Sequence, residues 1–266
     1  YPKVGQQPSG AKVGVVNSTT KKIQWVPIPG GEKENYIPGI QWVNSDLLLL
    51  QQMNRKQNQL LVWSYKPSTN KITRVYTEVE DTWVDIGYPD VTGNSWGNND
   101  LPLVDNGEAF LRMTETDGWR HVYKIKIAEA DATLLTSGHY DVASMKNAAN
   151  GILYFMASPE NSTQRYLYTT DLLGKGKLKR VTPKNYSGIN NYNVSPDGKY
   201  AVHTHESTTE PRTVRFIELP THKTIKTIVA NESYKEKLAT LALPEVKFTT
   251  VTTEEGIEID VRMVLP

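Results

Sequence analysis

Gly93-Asn94-Ser95-Trp96-Gly97 has the form Gly-x-Ser-x-Gly, which in a hydrolase sets a nucleophilic serine on a strained turn between a buried strand and a helix. The flanking residues oppose that chemistry. Asn98-Asn99-Asp100-Leu101-Pro102 is a poor helix start, and Gly87 and Pro89 interrupt the segment before it. Ser95 is therefore expected in a polar loop, and no catalytic residue is assigned to this chain. His203 and His205 are separated by one residue, so a strand would carry both imidazoles on one face. Zinc needs at least a third ligand; Glu206 would point to the other face and no other His or Cys is near in sequence, so neither a metal nor a cofactor is expected. Arg120-His121 could in principle do acid–base work, because histidine titrates near neutral pH. A structural role is expected instead, with Arg120 pairing a carboxylate or carbonyl groups. The insert from Ile86 to Asn99 holds Tyr88 and Trp96 among Gly, Asn and Pro, and these two aromatics are the candidates for contact with a substrate.

The elements that would position these residues repeat along the chain. Each unit has a turn, a short apolar strand, a polar turn, an aromatic-rich strand and a closing strand. The units begin at Asn44-Ser45, Asn106-Gly107, Asn150-Gly151 and Asp197-Gly198. The later starts lie 44 and 47 residues apart, and the first gap is longer by the insert from Ile86 to Asn99; a period of roughly 40–50 residues with several strands per unit is the sequence signature of a β-propeller. Asn-Gly and Asp-Gly supply the positive φ of tight hairpin turns, and runs such as Thr213–Leu219 alternate apolar and polar residues as half-buried strands do. A β-sandwich also has many short strands, but four copies of one pattern favour the propeller.

The expected fold is thus all-β, a partial propeller of about four to five blades of four-stranded antiparallel sheet. The expected spans are a blade remnant over 1–38, blades over about 39–84, 99–138, 142–184 and 189–230, and a short helix over 233–241. Residues 244–266 form a hairpin outside the repeat, with Pro244 at the boundary.

Composition narrows the class. With 30 basic and 29 acidic residues in 266, the formal net charge is +1 and no block of like charge occurs; no nucleic-acid partner is expected. There is no cysteine, which removes disulfides and thiolate chemistry and leans towards a bacterial source. No apolar run is long enough to span a membrane. A periplasmic or secreted location is expected, with the cytoplasm left open. The chain opens at Tyr1-Pro2 and stops at Leu265-Pro266, which reads as the boundary of a longer protein.

Four strings, in order, carry a family resemblance. Tyr1-Pro2-Lys3-Val4-Gly5 resembles the Tyr-Pro-Lys-x-Gly segment of the dipeptidyl-peptidase IV propeller. Thr82-Trp83-Val84 and then Thr116-Asp117-Gly118-Trp119-Arg120-His121-Val122-Tyr123 resemble that family's acidic-Gly-aromatic-Arg-His-hydrophobic-Tyr signature and its approach. Pro244 to Pro266 is similar to the first hairpin of its α/β-hydrolase domain. Trp119, Arg120 and His121 are thereby family-signature residues.

The resemblance implies an eight-bladed propeller capping a serine hydrolase that removes Xaa-Pro or Xaa-Ala dipeptides from peptide N-termini. It implies that this chain holds about the second half of that propeller, and that the nucleophile motif lies beyond Pro266. The family's paired glutamates, which hold the substrate's amino group, lie in the earlier half; Glu254-Glu255 is not that pair. The implied partners are a peptide substrate and, in cis, the rest of the propeller and the hydrolase domain. A homo-oligomer is the further expectation, because an open ring would expose apolar inter-blade faces. The competing readings are a free-standing propeller used as a binding scaffold, and the propeller of a related oligopeptidase or acylaminoacyl-peptidase.

Overall fold

The computed structural model describes residues 3–86 and 101–265. The described residues are mostly β, in six antiparallel sheets with no closed barrel among them. The chain divides into two compact units, Tyr1–Ser137 and Gly138–Pro266.

The first unit opens with a two-stranded sheet, β1 (Gly14–Val16) and β2 (Ile23–Trp25). A four-stranded sheet follows, in the order β3 (Asn35–Asn44), β4 (Leu47–Asn54), β5 (Gln59–Lys66), β6 (Lys71–Val79). The next contains β7 (Leu103–Val104), β8 (Ala109–Thr114), β9 (His121–Lys126) and β10 (Asp131–Leu134). In the second unit the same meander occurs twice. One sheet is β11 (Val142–Ala149), β12 (Ile152–Ala157), β13 (Tyr166–Asp171), β14 (Lys179–Arg180); the other is β15 (Ile189–Val194), β16 (Tyr200–Glu206), β17 (Thr213–Glu218), β18 (Lys223–Val229). A helix, α1 (Glu232–Ala239), precedes the hairpin β19 (Glu245–Thr252) and β20 (Glu258–Leu265).

The four-residue apolar run of β4 becomes intelligible in this arrangement. Successive side chains on a strand point to opposite faces. Leu48 and Leu50 pack with Val13, Val26 and Tyr65, towards β1 and β2. Leu49 packs the other way, with Val62, Val75, Phe110 and Ile125. Both faces of the sheet are therefore covered, so the strand reads as continuous rather than alternating hydrophobicity. The second unit repeats the scheme: Tyr154 and Met156 of β12 join Tyr192, Val194, Ala201 and Ile217 of the following sheet in one core.

The repeated turns sit between the first and second strands of each sheet. Asn150 and Gly151, both at positive φ, form the two-residue link from β11 to β12. Gly198 (φ 69°) follows β15, and a Cβ there would stand 3.2 Å from the Cβ of Ala149. The two turns are stitched together: Asn150 Nδ2 donates to the carbonyl of Asp197 at 2.8 Å, and Tyr154 Oη to that of Gly198 at 3.2 Å.

The closing strands differ in exposure to solvent. β18 is exposed along its length, but β6 buries Val75 and Glu78. The reason is that Val75 belongs to the core shared with Phe110 and Ile125 of the next sheet.

Candidate functional site

The turn between β8 and β9 carries the signature residues. Gly118, at φ 90°, closes it by donating its N–H to the carbonyl of Glu115 at 2.9 Å. Asp117 organises the turn from within: its carboxylate accepts from the Trp119 N–H at 3.3 Å and lies 2.7 Å from His121 Nδ1. Burial acts to raise the Asp117 pKa, but hydrogen bonds from His121, the Trp119 amide and Tyr123 outweigh it and hold the carboxyl below its ordinary value. Arg120 Nε reaches Glu115 Oε1 at 3.1 Å. His121 is buried at the start of β9, whereas Trp119 is 39% exposed. The geometry is that of a braced hairpin tip: an ionised carboxylate pins an imidazole, and an indole is left at the surface.

Beside it, at the start of the insert, lies a buried ion pair. Arg112 on β8 places Nε 3.0 Å from Glu78 Oε2 on β6, with the two side chains 4% and 2% exposed. Thr114 Oγ1 donates to the other carboxylate oxygen at 2.6 Å, and the Arg112 guanidinium also donates to the carbonyl of Asp85. Arg112 thus ties two strands of different sheets to the point where the chain leaves for the insert. Desolvation, with Glu78, Glu115 and Asp81 nearby, raises the pKa of Glu80. Sequence reading missed this group; an arginine within the apolar run Ala109–Met113 is the signal that could have found it, since a buried arginine must be paired. Tyr88, Ser95 and Trp96 lie outside the described residues.

In the second unit, His203 and His205 share one face of β16, with ring centroids 6.2 Å apart. The structure adds His222, from the turn between β17 and β18, at 4.8 Å from His203. Among the described residues, no group of three or more His, Cys, Asp or Glu is arranged to hold a metal ion. In the first unit a half-open cavity of about 320 Å³ lies against Trp25, Ile28 and Ile37, with Lys12 and Glu32 among its polar lining residues; these two pair at 2.6 Å.

Successive four-stranded meanders, which share an apolar core with the adjacent sheet within each unit, and a braced Trp-Arg-His hairpin tip define a segment of a β-propeller. The family model described as the dipeptidyl peptidase IV (DPP IV) N-terminal region matches residues 1–212, and the chain belongs to that family. Among curated relatives, the "Probable dipeptidyl peptidase 4" of Trichophyton verrucosum is 22% identical over 273 residues, covering 100% of this chain and 35% of the relative. The "Probable dipeptidyl-aminopeptidase B" of Coccidioides posadasii is 22% identical, covering 98% of this chain and 29% of its own length. The crystal structure of Porphyromonas gingivalis dipeptidyl peptidase 4 superposes with a TM-score of 0.81 at 22% identity, over 100% of this chain and 36% of that one. A structure described as a putative dipeptidyl aminopeptidase IV from Bacteroides ovatus gives 0.73 at 18% identity, over 100% and 39%. The chain therefore spans about a third of the length of the relatives it matches. The two curated relatives named above are fungal, so the bacterial source expected from the absence of cysteine is not supported by them. Among the described residues, no helix is long and apolar enough to cross a membrane, which says nothing of β-barrels.

Proposed function

We propose that this chain is the propeller part of a serine exopeptidase that releases Xaa-Pro and Xaa-Ala dipeptides from free peptide N-termini. In this reading residues 1–243 belong to the propeller and 244–266 begin the hydrolase domain. The chain supplies no nucleophile. It restricts access and helps fix the N-terminal end of the peptide, which sets the distance from that end to the scissile bond. Acyl transfer by a Ser-His-Asp triad belongs to another part of the same protein. Its partners are then the peptide, the hydrolase domain and the remaining blades, and its location is the periplasm or the cell exterior.

The observation that carries this reading is the match to dipeptidyl peptidases along the whole chain rather than over the repeats alone. A free-standing scaffold propeller would have no reason to match such enzymes through β19 and β20. The experiment compares the 266-residue chain with the full-length gene product that contains it, on Xaa-Pro and Xaa-Ala peptides with free and acetylated N-termini. The full-length protein is expected to release dipeptides from the free forms only, and the chain alone to be inert and unlabelled by a fluorophosphonate. Activity or labelling of the chain alone, or no dipeptide release by the full-length protein, would overturn the reading.

A further inference from the structure

Three imidazoles in the second unit are buried in one aromatic cluster, with His222 edge-on to His203 and His205 tilted against it. His203 is fully buried, and His205 and His222 nearly so. Tyr192 stacks on His203 with centroids 4.5 Å apart and an interplanar angle of 11°. Tyr186 stands edge-on to His203 and His205 at 5.2 Å and tilted at 5.4 Å from His222.

The hydrogen bonds fix where the proton of His203 lies. Asn190 donates both amide hydrogens to carbonyls, those of Arg165 at 3.0 Å and Tyr186 at 2.9 Å. Its Oδ1 therefore faces His203 Nε2, 2.8 Å away, and Nε2 must be the N–H that donates to it. Nδ1 then carries a bare lone pair, and it is buried with no partner. A second proton on this ring would be a buried cationic N–H with nothing to accept it, and both a buried charge and a buried unpaired donor are costly.

The surroundings give no compensation. From β17, Arg215 stands over the Tyr186 ring at 5.1 Å; from β14, Arg180 acts on Tyr192 as a positive charge. From β15 and the preceding segment come only neutral groups, Asn190, Tyr192, Thr182 and Tyr186. Tyr192 Oη bridges His222 Nε2 and Thr182 Oγ1 at 2.8 Å each, and His205 Nε2 meets the carbonyl of Ser187 at 2.7 Å. The nearby carboxylates are engaged elsewhere, Glu206 with Arg212 at 3.1 Å and Glu210 with Lys235 at 2.6 Å. Among the described residues, no carboxylate is bonded to any of the three rings.

We propose that His203 and His222 form an acid-sensitive latch, on which the closure of the sheet β15–β18 depends and which weakens progressively as the medium falls below about pH 6.5. Burial first, and then the adjoining imidazoles of His222 and His205 and the Arg215 guanidinium, pull His203 down to about 2; burial with Arg215 brings His222 to about 4. Both lie below the value of an exposed histidine, about 6.5. The opened sheet thus binds more protons than the closed one below that pH. Stability is complete above it and falls as pH drops, by up to tenfold in the opening equilibrium per pH unit for each such histidine.

The test is hydrogen exchange, corrected for intrinsic chemistry, on amides of β16 and β17 with those of β8 and β9 as control. Between pH 7.5 and 5.5 the opening constant of β16 and β17 is expected to rise about a hundredfold, two protons' worth, and that of the control strands much less. His222→Gln keeps a side chain able to bond Tyr192 without titrating. It should reduce the rise to about tenfold, whatever its effect on stability at pH 7.5. A rise in β16 and β17 no greater than in the control strands, or an unchanged slope in a folded His222→Gln protein, overturns the latch. If the variant does not fold, the native slope alone decides.

Discussion

At the residue scale the informative groups are those forced to share a place. Trp119, Arg120 and His121 stand out in the sequence because an Asp-Gly turn precedes them; what the string does not disclose is that Asp117 and Glu115, in the same turn, bond the His121 imidazole and the Arg120 guanidinium. Pairings at short range are legible once the turn is known. Pairings between strands are not, which is why Glu78 and Arg112, 34 residues apart, escape sequence reading. The same holds for the imidazoles. His203 and His205 announce themselves by spacing, whereas His222 arrives only because β17 and β18 fold back on β16. The buried ion pair gives a direct test. Removing one member leaves an uncompensated charge in the interior, so Arg112→Met is expected to lower unfolding free energy by about 3–5 kcal/mol. Urea denaturation at pH 7.5 measures it, and an Arg112→Met/Glu78→Leu double variant should recover much of the loss.

At the scale of the element, the strands that declare themselves are those with large apolar residues on both faces. β4, β5 and β12 follow directly from Leu47–Leu50, Leu60–Tyr65 and Ile152–Met156. The opening strands of the last two meanders do not. β11 reads Val-Ala-Ser-Met-Lys-Asn-Ala-Ala and β15 reads Ile-Asn-Asn-Tyr-Asn-Val, rich in residues that avoid strands in isolation. They pair because the neighbouring strand offers a complete ladder: all six residues of β15 are in register with β16. Tertiary context outweighs propensity there. The core and the rim should differ accordingly. Leu60, at 0% exposure, is expected to cost about 2–5 kcal/mol on replacement by Ala. Ile225 on β18, at 50% exposure, should change stability by no more than about 0.5 kcal/mol. Equal losses for the two in denaturant titrations would refute the assignment of β18 to the surface.

At the scale of the whole molecule, the class follows from the period, while the family follows from four short strings whose order matters more than any one of them. The insert that holds Tyr88 and Trp96 has no period and no pairing partner in sequence, and its role cannot be argued from pattern. The exposed apolar residues do have a consequence. Ile225, Ile228 and Val229 line β18, and Phe248, Val251, Ile259 and Val264 lie on the terminal hairpin, all more than a third exposed. Groups of such residues favour association. In sedimentation velocity at micromolar concentration the 29.9 kDa chain is expected to form larger species; a sharp monomer at all concentrations would remove self-association from the proposed partners.

The strand order has an implication for how the protein is made. Among the described residues, each strand pairs with its neighbours in the chain, so the four-stranded sheets close their hydrogen bonds locally. Local pairing of this kind lowers the entropic cost of loop closure and speeds folding. Synthesis proceeds from the N-terminus at about 5–20 residues per second, with structure forming as the chain emerges. Each meander can therefore complete its own hydrogen-bond ladder on the ribosome within seconds of its last strand leaving the exit tunnel. The face of the most recently formed sheet would then remain bare until the next one is translated. That interval, rather than the finished molecule, is when a chaperone would have the most apolar surface to hold.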